Sequence, residues 1–321
     1  MIRTVLVYVG LDLVGDGVMK LPFLACLRAL YPEARITWLA GQGKTVFAGT
    51  LAPLAQGLID EVIEDAAIGG KASELLRRPL EGRAFDLVID TQRRVMTTLI
   101  LRRIRHDRFI SAAAGWRLSD AVPPSGRHKR PSMLGQMLAL LEAATGRAPP
   151  PPPPLRLEPA LAVEASRRLP PGPVYVGLAP GAGGKHKCWP LERFLAVAAE
   201  LSQQGCRPVF LLGPAERHWE EAIRARQPDA LLPLTDADQP PLTIALAGRL
   251  AAAIANDSGT GHMLAAGGAP LLSLFGPTAP EKFAPFAARL AVIRAQDFGG
   301  AEMDAIPVSA VSAALAKILK A

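Results

Sequence analysis

The 321-residue chain holds only three cysteines, and aromatic side chains make up 5% of it. Cys26, Cys188 and Cys206 have no paired spacing, which excludes a disulfide framework and a zinc site and leaves three structural thiols. Long apolar runs are missing as well. The stretch from Val5 to Leu11 is cut short by Asp12, and the uncharged stretch 263–280 is broken by Gly267, Gly268, Pro270, Gly276 and Pro277. Neither suits a signal peptide or a membrane span, so the expectation is a soluble, cytoplasmic protein. The nucleotide-binding glycine motifs also fail. "GQGKT", at 41–45, imitates the end of a phosphate-binding P-loop, but its required first glycine falls on Trp38. No intact GxGxxG follows the first strand, which argues against a dinucleotide oxidoreductase. Acidic residues are in deficit, and the net charge is +7. Most of that excess lies in the first half, where residues 91–130 carry ten Lys and Arg against Asp107 and Asp120. Such a stripe faces an anionic partner or, alternatively, is the solvated face of an Arg-rich helix from Arg102 to Arg108.

Two halves repeat one grammar of short β-branched run, glycine turn and amphipathic helix. "TVLVYVG", "ARITWLAG" and "FDLVIDTQ" read as strands of the first half. "GDGVMKLPFLACLRALYP" reads as a turn and then a helix, with Leu21, Leu24, Leu27 and Leu30 on one face. "PVYVGLAPG", "CRPVFLLGP", "AAAIANDSG" and "APLLSLFGP" are four strands of the second half. Strands alternating with helices predict an α/β fold with parallel sheets covered on both faces. Six consecutive prolines, 149–154, form a stiff extended linker. The chain therefore divides into a Rossmann-like domain over 1–148, the linker 149–154, and a second Rossmann-like domain over 155–321. The two face a cleft, with the last helix free to pack back on the first domain. Ligands of such sheets bind outside the carboxyl ends of the strands.

Three segments carry possible chemistry. In "LAPGAGGKHKCWPLERF", Pro190 fits the first turn of a helix, so Lys185, His186 and Lys187 lie in the glycine-rich loop that enters it. Free backbone amides, a helix dipole and a lysine charge suit a phosphate there, although a solvated loop anchored by Trp189 reads equally well. "ANDSGTGHMLAA" repeats the arrangement, with Asp257 and Ser258 ending a strand and His262 near the start of a helix. A nucleophile elbow needs glycine two residues before the serine, and that position is Asn256, so capping by Ser258 or Thr260 and anion binding are the better readings. Asp16, in "LVGDGV", is either a proton acceptor at the exit of the first strand or a helix N-cap. Asp236 and Asp238 resemble a metal-binding carboxylate pair but are equally explained as a polar loop beside Pro240 and Pro241.

Together, "LVGDGVMKLPFLACLRALYPEARITWL", "KCWP", "LLGPAE", "NDSGTGHMLAA" and "LFGPTAPEKFAP" resemble, in order and spacing, the heptosyltransferases of glycosyltransferase family 9. The resemblance implies a GT-B fold and inverting transfer from ADP-heptose to an inner-core sugar of lipopolysaccharide, with no metal and no cofactor. Carried over by residue, Asp16 would be the general base and Lys187 would hold the donor phosphates. Asp257, Ser258, Gly259, Thr260 and His262 would form the donor loop, with Glu216 near the nucleotide. Acceptor-side basic candidates are Lys20, Arg93, Arg94, Arg127, His128 and Lys129. They suit an anionic glycolipid, reached by peripheral contact with the inner face of the membrane, and not a nucleic acid. The chain departs from the family's usual pattern at Gly10, where an arginine is common, and at Lys20, where a small hydroxyl residue is common. Two other readings remain: a different nucleotide-sugar enzyme on the same fold, such as an epimerase or a transferase with another donor, and a non-catalytic nucleotide-sugar binding protein.

Overall fold

The computed structural model describes residues 1–69, 71–235 and 240–320; Asp236 and Asp238 lie outside the described residues. The chain divides into two compact units, Met1–Leu155 and Arg156–Ala321. Each is organised on a single five-stranded sheet in which all pairings are parallel.

The strands of the first unit are β1 (Thr4–Val9), β2 (Arg35–Ala40), β3 (Glu61–Ile63), β4 (Ala84–Asp90) and β5 (Arg105–Ser111). They stand in the order β3-β2-β1-β4-β5. Val5 to Val9 are all buried, as expected of a central strand covered on both faces. The order reverses between β1 and β4, and the chain leaving each is carried to opposite faces, which opens a crevice at their carboxyl ends.

"GDG" does not form a turn. Gly15, Asp16 and Gly17 are already in the first turn of the helix Val14–Leu30, whose N-cap is Leu13. Gly17 is required by close packing: a Cβ there would lie 2.5 Å from Val46 Cγ2 and 2.7 Å from Leu51 Cδ1. Leu21, Leu24 and Leu27 form the buried stripe of the helix. Beside it, buried Asp12 accepts from Trp38 Nε1 at 3.0 Å and Thr45 Oγ1 at 2.9 Å, and pairs with the Lys20 ammonium. Lys20 therefore compensates a buried carboxylate, which removes it from the basic residues open to an acceptor.

The Arg-rich segment is not a helix either. The helix Val95–Leu101 ends and β5 begins at Arg105, in register with β4 from Ala84↔Arg105 to Asp90↔Ser111. Burial of Phe109, Ile110 and Ser111 sets the strand, while its charged first half runs along the sheet edge. The arginines there are held locally. Arg102 donates to Leu118 O at 2.8 Å and Asp120 at 3.0 Å and covers the Phe109 ring, while Arg108 donates to Ala143 O at 3.2 Å. Arg93 and Arg94, by contrast, follow the carboxyl end of β4 and are exposed, so the basic stripe divides between the two ends of the sheet.

The second unit contains β6 (Val174–Ala179), β7 (Cys206–Phe210), β8 (Ala252–Asn256), β9 (Leu271–Phe275) and β10 (Leu290–Arg294), in the order β10-β9-β8-β6-β7. Here the reversal falls between β6 and β8. Both β8 and β9 are buried throughout. The last helix, Val308–Lys320, packs Val311 and Leu315 into the same core as Ile254, Leu272 and Leu274 of this unit.

At the end of β4, fully buried Asp90 accepts from Thr98 Oγ1 at 2.6 Å, Ser111 Oγ at 2.8 Å and Gln92 N at 2.8 Å. Burial pushes its pKa up to about 6, against the opposing pull of those hydrogen bonds. The native state thus binds the proton more tightly than the unfolded chain, so the stability it contributes is fully present below about pH 4 and is lost as pH rises to about 6. Asp90→Asn is expected to remove that loss, which amounts to about 3 kcal/mol over the complete titration and about 2 kcal/mol of it between pH 4 and 6. Urea denaturation of both proteins from pH 4 to 7 checks this, and parallel profiles would contradict it.

Candidate functional site

The crevice between β6 and β8 gathers most of the polar residues singled out in the second half. After β6 the chain runs through Pro180 to Gly184, makes a tight helical turn over Lys185–Lys187, and enters the helix Leu191–Gln203 with Pro190 at its N-cap. After β8, Ser258 caps the helix Gly259–Ala266, its hydroxyl accepting from Gly261 N at 3.2 Å. Because that hydroxyl is engaged in capping, the arrangement is not that of a poised nucleophile. Thr260 lies inside the helix, and His262 is buried in it at 7% exposure.

Asn256 ties the two loops together. From the end of β8 its amide donates to Pro180 O at 2.7 Å, and its carbonyl accepts from Trp189 N at 3.1 Å. The Trp189 indole is fully buried, donates to Ile306 O at 2.9 Å and meets Phe194 edge-on. With that anchor fixed, Lys187 reaches across to Asp257, Nζ to Oδ2 at 2.9 Å. Thr278, after β9, donates to the same oxygen at 2.7 Å. Asp257 is 8% exposed, so its carboxylate is stabilised by both partners where water is scarce.

Glu216 approaches from the turn after β7. A Cβ at Gly181 would stand 2.5 Å from the Glu216 carboxyl carbon, and one at Gly213 would stand 2.7 Å from its Oε2. A side chain at either glycine would displace the carboxylate that sits between them. The site thus combines a lysine, two helix N-termini and a carboxylate at one crevice. Donors converging on a helix start suit a phosphate, and a carboxylate beside them suits hydroxyls.

Lys187, Asp257, Ser258 and Glu216 belong to the adjoining turns after β6, β8 and β7, while Gly259, Thr260 and His262 lie in the helix that Ser258 caps. Asp16 belongs to the other unit, exposed in the first turn of its helix, where among the described residues its carboxylate has no hydrogen-bond or ion-pair partner. Arg127, His128 and Lys129 are exposed in the loop before the helix Met133–Thr145. Sequence reasoning missed Asn256 as a brace and Thr278 as a partner of Asp257. A polar residue ending a fully buried strand was the available signal for Asn256. No helix among the described residues is long and apolar enough to cross a membrane.

Asn256→Ala leaves the buried Trp189 N–H and Pro180 carbonyl without their partner. At about 1–3 kcal/mol per unmet group, the expected loss is roughly 2–5 kcal/mol, read as a lowered denaturation midpoint. A loss of about 0.5 kcal/mol or less, ordinary for a surface substitution, would contradict the bracing role.

Comparison with known proteins bears on the fold and the family. The model of "Glycosyltransferase family 9 (heptosyltransferase)" matches residues 74–305. The chain is 26% identical over 284 residues to lipopolysaccharide heptosyltransferase 3 of Escherichia coli K12, covering 82% of this chain and 80% of that one. Among solved structures, a glycosyl transferase family 9 protein of Veillonella parvula superposes with a TM-score of 0.75 at 20% identity, covering 99% of this chain and 97% of that one. The E. coli heptosyltransferase WaaC with ADP superposes with a TM-score of 0.67 at 20% identity, covering 98% of this chain and the whole of the other. These likenesses fit the GT-B fold of two parallel-sheet domains. The chain belongs to glycosyltransferase family 9 (heptosyltransferase).

Proposed function

We propose that the protein transfers a heptosyl group from ADP-heptose to an anionic inner-core sugar of lipopolysaccharide, with inversion and without a metal or other cofactor. The observation that carries this reading is the Lys187–Asp257–Thr278 cluster at the β6/β8 crevice, between two helix N-termini. The ADP bound by the related WaaC supports an adenosine diphosphate leaving group.

In the reaction the acceptor hydroxyl oxygen bonds to the anomeric carbon as the bond from that carbon to the diphosphate oxygen breaks. The hydroxyl proton passes to the Asp16 carboxylate, and negative charge grows on the departing diphosphate. Stabilisation aimed at that growing charge lowers the barrier more than binding aimed at the intact donor. Lys187 and the amides at the starts of Leu191–Gln203 and Gly259–Ala266 are the groups assigned to it. Asp257 and Thr278 hold the lysine in place, and Glu216 is assigned to the nucleoside hydroxyls. On the acceptor side, Arg93, Arg94, Arg127, His128 and Lys129 attract an anionic glycolipid at a membrane surface, where each base near the surface adds about 1 kcal/mol.

Asp16→Ala is expected to abolish transfer while ADP-heptose binding, measured by calorimetry, is kept. Retained turnover would remove the base assignment. Lys187→Ala is expected to weaken ADP-heptose binding about 10- to 100-fold, about 1.4–2.8 kcal/mol. Unchanged donor affinity in that variant would contradict the phosphate-site reading.

A further inference from the structure

The helix Val14–Leu30 carries Asp16 and, four residues on, Lys20. Positions i and i+4 are neighbours on one face of a helix, and an acid one turn before a lysine is the favourable order for an ion pair. That pair is not formed. Lys20 turns instead to Asp12 Oδ1, in the segment between β1 and the helix, while the Asp16 carboxylate stays exposed without a hydrogen-bond or ion-pair partner among the described residues.

Asp12 is placed to win this competition. Its side chain is 0% exposed and that of Lys20 13%, so fewer water dipoles screen their attraction than would screen a pair at the open Asp16. A buried carboxylate left without a counter-charge would also be costly. The other oxygen, Asp12 Oδ2, accepts from Trp38 Nε1 at 3.0 Å and Thr45 Oγ1 at 2.9 Å, so both oxygens are engaged and the group is fixed from three directions. These partners are themselves held. Trp38 is a fully buried residue of β2 that meets Phe47 edge-on, and Thr45 donates its amide to Glu64 at 2.8 Å while its hydroxyl caps the turn Val46–Ala48. Gly17, next to Asp16, lies against Val46 and Leu51 of the same segment.

A lysine resting on Asp16 would compete with an acceptor hydroxyl for its oxygens. It would also favour the charged carboxylate and so weaken it as a proton acceptor. We propose that Asp12 and Lys20 are positioning residues of the transfer reaction: Asp12 draws the ammonium away from its helical neighbour and leaves Asp16 unpaired to take the proton. The inference rests on the reading of Asp16 as the general base, whereas the placement of Lys20 does not.

Steady-state kinetics of Asp12→Asn and of Asp12→Asn/Lys20→Met, with a crystal structure of the single variant, test it. In Asp12→Asn the lysine loses its carboxylate and is expected to swing to Asp16, its Nζ within about 4 Å of a carboxylate oxygen. kcat should fall about tenfold or more, with KM for ADP-heptose unchanged. Removing the ammonium as well should return kcat to within about threefold of wild type. A merely structural role for Asp12 would give no such recovery, because the double variant lacks both halves of the pair. Asp12→Ser, which also removes the charge, is read in the same way where Asp12→Asn does not fold. Unchanged kcat in the single variant, a double variant as slow as the single, or Lys20 away from Asp16 in the crystal would overturn the proposal. Lys20 found on Asp16 in a protein whose Asp16→Ala variant keeps its turnover would support the placement and overturn the base assignment instead.

Discussion

The rest of the structure depends on one constraint of open parallel sheets: two adjacent strands must hand the chain to opposite faces, and a crevice is left at their carboxyl ends. The chain meets this constraint twice, at β1/β4 and at β6/β8. Glycines at the strand exits let the following loops approach closely, and burial of the strands themselves holds the loops in place. In the second unit the crevice receives Lys187, Asp257 and Glu216; in the first it receives Gln42, Gln92 and Arg94. Fold and chemistry are coupled because the same loops close the core and carry the polar groups.

Each crevice is braced by a buried polar side chain at the end of a strand. Asn256 holds the loop after β6 against β8, and Asp90 gathers a threonine, a serine and a backbone amide at the end of β4. An unpaired polar group at either place would be costly, so these networks are effective only when complete. The Lys187–Asp257 pair is less deeply set, with the lysine side chain 28% exposed. That exposure leaves the ammonium open to solvent while its carboxylate partner fixes its direction.

Much of this was legible in the sequence where burial and periodicity agree. β1, β2, β4 and β6 to β9 are short apolar runs ending in glycine or polar turns, and they fold as such. β5 was hidden because arginines at a sheet edge look like a solvated helix face, and only Phe109 to Ser111 reach the core. The "GDG" segment looked like a turn because glycine usually marks one, yet Gly17 is helical and is set by contact with Val46 and Leu51. Lys20 appeared available in sequence and is paired with a carboxylate eight residues earlier, a fact that needs three dimensions. The residues of the β6/β8 crevice emerged from spacing and resemblance. Thr278 and the two glutamines were silent because single amides and hydroxyls carry no pattern of their own, and Asn256 stood out only as a polar residue ending a buried strand.

The central claim is that a heptosyl group moves from an adenosine diphosphate carrier to a core sugar. Incubating the purified protein with ADP-heptose and deacylated inner-core oligosaccharide, then weighing the products by mass spectrometry, tests it directly. The account predicts an oligosaccharide heavier by one heptosyl residue and ADP released in equal amount. Donor converted to an isomer, or cleaved to free heptose, with the oligosaccharide unchanged would contradict it.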